Sequence, residues 1–73
     1  MSTDLPLVEF KYPALMLAAT ENEKAGNYLV ASRFYGHALH CLLFTSMLDV
    51  WNKQVQAVQE LRFACYRKLR ERN

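Results

Sequence analysis

The chain is poor in glycine and proline, with two of each in 73 residues. Few breakers, and no recurrent apolar–polar alternation after residue 12, argue against an all-β fold and leave an all-helical bundle as the economical answer. Cysteine is equally scarce. Cys41 and Cys65 make no disulfide framework, and both fall inside helix-like stretches near apolar stripes, as buried thiols of a reducing compartment would. The first residues carry no charged-then-apolar signal pattern. The longest apolar run, Leu39 to Val50, contains His40 and Asp49 and is too short to span a bilayer. Glycine-rich phosphate loops, a nucleophile elbow and an HExxH motif are all missing, so no enzymatic activity is expected. A net charge of only +2 does not mark a nucleic-acid binder. Without dense basic interleaving, Phe34, Tyr35, Phe44, Trp51, Phe63 and Tyr66 read as core rather than as a stacking platform.

What is present is apolar surface: 52% of the chain is hydrophobic, ample for one small core. The stretch Lys24 to Leu39 organises the rest. Gly26 supplies a left-handed residue to end one helix, and Asn27 is a good N-cap for the next. Ala31, Tyr35 and Ala38 then share one face, two small residues flanking a ring, which lets a neighbouring helix come close. The expected fold is all-α, an antiparallel three-helix bundle over about 13–25, 28–46 and 52–72. Residues 1–12 are expected as an extended or frayed lead-in, because Val8, Phe10 and Tyr12 alternate with Glu9 and Lys11. Pro13 suits the first position of the first helix. Its expected stripe is Leu15, Ala18, Ala19, Asn22 and Ala25, with Met16 and Leu17 widening it. The second helix is apolar on two sides, as a central helix would be, and Gly36 inside it suggests a close backbone approach. Its end is open, since Ser46, Asp49 and Asn52 all suit a cap. Along the third, Val55, Val58, Leu61 (or Arg62), Cys65 and Leu69 recur at three- and four-residue intervals, and Trp51 would pack over the preceding corner.

Charge is uneven. Acids sit mainly in the first third, whereas Arg62, Arg67, Lys68, Arg70 and Arg72 crowd the last twelve residues. Cations there match the negative end of a helix dipole, and the same cluster would also serve as a basic rail for an acidic partner or an anionic membrane. His37 and Cys41 stand one turn apart beside His40, but a structural zinc wants four ligands, so no metal or cofactor is expected.

The pattern Lys-x-Gly-x-Tyr-x-x-Ala-x-x-x-Tyr-x-x-Ala-Leu, from Lys24 through Gly26, Tyr28, Ala31, Tyr35 and Ala38 to Leu39, resembles the corner of the MIT (microtubule interacting and transport) domain. It equally resembles the turn and second helix of a tetratricopeptide unit. A single unit, no proline after the second helix and a third amphipathic helix, where Val58 to Ala64 resembles its MIT counterpart, favour MIT. That resemblance implies a protein–protein interaction module whose inter-helix groove binds the peptide tail or amphipathic helix of another protein. It would recruit an attached machine to ESCRT-III filaments or microtubules, in the cytoplasm at endosomal membranes or along microtubules. Groove residues expected from helical spacing are Val55, Val58, Arg62, Cys65, Tyr66 and Leu69, with Leu15 and Met16 lining the other cleft. Arg62 stands near where MIT domains of ESCRT-disassembling ATPases carry an acidic residue, which points to an acidic, tubulin-like ligand instead. Expected partners are therefore an ESCRT-III-like or acidic tubulin-like tail, with weak anionic-membrane contact through the basic rail, no nucleic acid, and a monomeric chain. The alternative is a structural tetratricopeptide-like hairpin that forms a homodimer or caps a solenoid.

Overall fold

The computed structural model describes residues 4–72, and side-chain surroundings for 11–71. Among the described residues the chain is all-helical: α1 spans Asp4–Lys24, α2 spans Tyr28–His40, and α3 spans Lys53–Arg72. A π-helical turn, Cys41–Thr45, prolongs α2.

The first corner follows from Gly26, whose φ is +85°. Gly26 N–H donates to Glu23 O at 3.0 Å and Asn27 N–H reaches back to Asn22 O at 2.8 Å, a Schellman closure that satisfies carbonyls the helix end would leave open. Asn27 does not cap with its side chain as expected. Its Nδ2 instead donates to Asn22 Oδ1 at 3.4 Å, and its carbonyl accepts from Ala31 N–H. A Cβ added at Gly26 would meet no heavy atom within 4 Å, so only the backbone conformation opposes a side chain there. Gly26→Ala is expected to cost about 1 kcal/mol in chemical denaturation. An unchanged midpoint would mean the corner can close another way.

α1 begins nine residues before the expected start at Pro13 and runs through that proline. The extended lead-in therefore gives way to helix over 4–12; residues 1–3, and the side chains of Val8 and Phe10, lie outside the described residues. Pro6 falls in the first turn, where a missing N–H has no intrahelical partner to lose. Tyr12, Leu15, Met16 and Ala19, at helical spacing, pack against the core, and of these Tyr12 belongs to the upstream extension. From the stripe expected on sequence, Ala19 is buried, Leu15, Ala18 and Asn22 are half-buried, and Ala25 is exposed.

α2 is the central element, packing on both α1 and α3. Between α1 and α3, Gln54 Nε2–H donates to Tyr12 OH at 3.0 Å. The molecule accordingly measures 45 × 26 × 13 Å, twice as wide as thick. Ala31, Tyr35 and Ala38 are buried to 1% exposure or less, and Leu39, Leu42, Ala19, Val55, Val58 and Cys65 are buried with them at 5% or less. Ser32 is buried too, its hydroxyl donating to Leu29 O at 2.7 Å. Across the α1–α2 seam, Tyr35 OH donates to Glu23 Oε1 at 2.7 Å.

The second corner ends α2 without glycine: Met47 takes φ 58°. Asp49 Oδ1 accepts from Trp51 N–H at 2.9 Å, and Asn52 Oδ1 caps α3 by accepting from Gln54 N–H at 2.8 Å. Asn52 is thus the cap that the sequence left undecided. Trp51 does not pack over this corner but is 80% exposed. Phe44 and Phe63 are also exposed rather than core, while Phe34 and Tyr66 are half-buried.

Candidate functional site

Burial sorts the expected groove residues into two groups. Val55, Val58 and Cys65 are 0–2% exposed and face the core, so they line no groove. The spacing that suggested them was real, but it marks the stripe α3 turns onto α2. Burial pushes the Cys65 thiol above its ordinary value, with the Glu23 carboxylate adding to the effect. Cys41 is likewise a buried free thiol. Leu15 and Met16 are half-buried against the core on α1. Leu69 is half-buried.

Arg62 and Tyr66 remain, and they meet. Helical register turns Leu61 outward and brings Arg62 onto the α2 side. Its guanidinium lies where a Gly36 side chain would stand: a Cβ there would be 3.5 Å from Cζ and 3.6 Å from Nη2. The close approach expected at Gly36 is thus made by a side chain and not by backbone. Arg62 Nε–H donates to Tyr66 OH at 3.0 Å, and Cζ sits 5.5 Å from the Tyr66 ring centroid, which fixes the group by a hydrogen bond and a cation–π contact. Among the described residues no carboxylate pairs with it, and no buried side-chain nitrogen or oxygen lacks a partner, so its terminal nitrogens face solvent.

The Gly36–Arg62 contact sets the register of the α2–α3 groove. Leu29, Arg33, Gly36 and His40 share one face of α2 at helical spacing; Gln59, Arg62, Tyr66 and Arg70 share one face of α3. Run antiparallel, the two rows place Arg33 opposite Tyr66 and His40 opposite Gln59. The strip holds three arginines and a histidine and no acid, and Leu29 is half exposed at its edge. The α2 half was missing from the residues picked on sequence. An acid-free row at positions 29, 33, 36 and 40 was the signal available.

The other cations of the last helix part company. Arg67 lies with Ala57, Glu60, Leu61, Phe63 and Ala64 around a shallow depression on the far side of α3. Lys68 Nζ stands 3.9 Å from Glu71 Oε1, an exposed pair that contributes little. The side chain of Arg72 lies outside the described residues. On α2, His37 is exposed, Cys41 is buried, and His40 stacks on Phe44 at 4.6 Å, so the three do not converge. Among the described residues no three His, Cys, Asp or Glu side chains are grouped to hold a metal. No helix there is long and apolar enough to cross a membrane.

No family model matches the chain. No curated protein or solved structure matches it either.

Proposed function

We propose that the chain is a protein–protein interaction module that docks an acidic segment, helical or extended, in the groove between α2 and α3. The observation that carries this reading is Arg62: a half-buried guanidinium, held by Tyr66 against Gly36, with its outer nitrogens uncommitted in an acid-free strip. A planar fork held in one orientation loses little freedom on gripping a carboxylate in two places. Arg33 and Arg70 extend the positive field along the groove, and Leu29 and Tyr66 offer apolar contact for anchors spaced along a partner helix. The MIT-like pattern at the first corner supports the same class of function. On that reading the ligand is an acidic tail such as those of tubulin, and the attached machine is brought to microtubules or ESCRT-III filaments. Affinity for so small a strip falls in the micromolar to millimolar range, about −8 to −4 kcal/mol.

The test is titration of isotope-labelled chain with an acidic amphipathic peptide at low salt, followed by NMR. Resonances of Arg33, Gly36, Arg62 and Tyr66 should shift together. Arg62→Glu should weaken binding at least about tenfold while the helical spectrum stays unchanged, since the side chain is half-exposed. Equal affinity in the variant, or shifts confined to another face, would remove the groove from consideration.

A further inference from the structure

The shallow depression on the far side of α3 is part of a longer seam that the acidic-segment groove does not use. Lys53, Ala57, Glu60, Ala64, Arg67 and Glu71 recur at alternating four- and three-residue steps, so they form one stripe along the helix, turned away from the buried Val55, Val58 and Cys65. Ala64 is half-buried and the other five are exposed. Leu61, 37% exposed, and Phe63, 49% exposed, border the stripe on its two sides.

We propose that this seam docks a second copy of the chain, with the two α3 helices antiparallel. Three observations select that occupant. First, the charges along the stripe alternate in sign: Lys53, Glu60, Arg67, Glu71. Turned end for end, this order is its own complement. Lys53 lies level with the partner's Glu71, and Glu60 comes within one turn of the partner's Arg67. An isologous interface needs such self-complementarity. A parallel pair would set each of the four against its own copy, like charge on like. Second, alanines stand where close approach requires them. In the same register Ala57 faces the partner's Arg67 and Ala64 faces the partner's Glu60, so each long side chain lies over a small one and the axes can approach to about 8 Å. Third, the apolar borders meet themselves. The two-fold axis passes between Leu61 and Phe63, which brings Leu61 to the partner's Leu61 along one border and Phe63 to the partner's Phe63 along the other.

The charged groups are free to make these contacts. Among the described residues neither Glu60 nor Arg67 stands in an ion pair, and Glu60 has no cation three or four residues away on its own helix. Glu71 has the exposed Lys68 at 3.9 Å, a pair weak enough to be shared. Arg62 and Tyr66 lie on another face of α3, so both copies keep their α2–α3 grooves open. A single helix pair buries less than the roughly 800 Å² per partner of a stable complex, so the dimer is weak and loosens with salt.

Sedimentation at low salt, from about 10 µM to about 1 mM chain, should show a monomer–dimer equilibrium. Amide resonances of Ala57, Glu60, Ala64 and Arg67 should shift over the same range. Glu60→Arg and Arg67→Glu alter exposed positions, and each alone should weaken association at least about tenfold with circular dichroism unchanged. Mixed in equal amounts, the two variants should pair with each other, and the double variant Glu60→Arg, Arg67→Glu should regain the wild-type affinity. A chain still monomeric at the highest concentration would overturn the proposal. So would a dimer indifferent to either single reversal, which would place the interface elsewhere, as at the exposed Phe44–Trp51 corner. Association restored neither by mixing nor in the double variant would overturn it too, because the antiparallel register demands both.

Discussion

Val55→Asp is expected to unfold the domain, whereas Arg62→Ala should leave it folded. Val55 is completely shielded in the core. No cation is buried with it, since the buried polar or charged residue among those described is Ser32. A carboxylate at that point must either stay ionised without a partner or take up a proton, and either way the cost is several kcal/mol. A domain of this length has only about 4–11 kcal/mol in hand, by the usual stability per residue. Loss of cooperative melting, and collapse of the dispersed amide spectrum, are the expected readouts at neutral pH. The penalty should ease on acidification. A buried carboxyl has its folded-state pKa raised, so the folded form gains on the unfolded one as pH falls below that value. Had Val55 lined a groove, as α3's spacing alone suggested, the same change would leave the melt intact and alter only peptide affinity. A folded Val55→Asp with the wild-type midpoint would therefore refute the core placement.

That contrast shows where the sequence was informative and where it was not. The first corner was legible because every signal in it is local. A left-handed glycine and the spacing of Ala31, Tyr35 and Ala38 predict their own environment, and the structure buries all three. The stripe on α3 was equally regular, but periodicity says which residues share a face and not what covers that face. Val58 and Cys65 were read as open groove for that reason. The Leu61–Arg62 ambiguity had the same origin: hydrophobicity favoured Leu61, but the register set by Val55, Val58 and Cys65 brings Arg62 inward. Pro13 misled differently. Its preference for the first turn is a statistical tendency and not a start signal, and Tyr12, just before it, already packs on the core from within the helix. Trp51 was unreadable for a physical reason too, because hydrophobicity favours burial without securing it in a turn whose geometry is fixed by Asp49 and Asn52.

Tyr35 sets the alkaline limit of the fold. Burial, first, and donation of its hydroxyl to Glu23, second, push its phenol from 10.0 up to about 12. A carboxylate acceptor favours the neutral phenol, so the folded state holds the proton more tightly than the unfolded chain. The folded pKa lies above the unfolded one. Stability from this group is thus fully present below pH 10, and it is lost as pH rises through about 12. That interval corresponds to about 2–3 kcal/mol, a large part of what a domain this small possesses. Cys65, raised in the same direction, adds to the alkaline loss. Tyr35→Phe should cost about 1 kcal/mol at pH 7 through the hydrogen bond to half-buried Glu23. It should also flatten the decline in denaturant midpoint between pH 10 and pH 12. Absorbance titration supplies the second reading: the late ionisation of Tyr35 in the folded protein should vanish in the variant. Tyr35→Ala, which removes the ring as well, should cost about 3–5 kcal/mol. The two variants together separate what the ring contributes between α1 and α2 from what the hydroxyl contributes. If Tyr35→Phe kept the wild-type alkaline profile, the proton held by Tyr35 would have no part in the stability of the bundle.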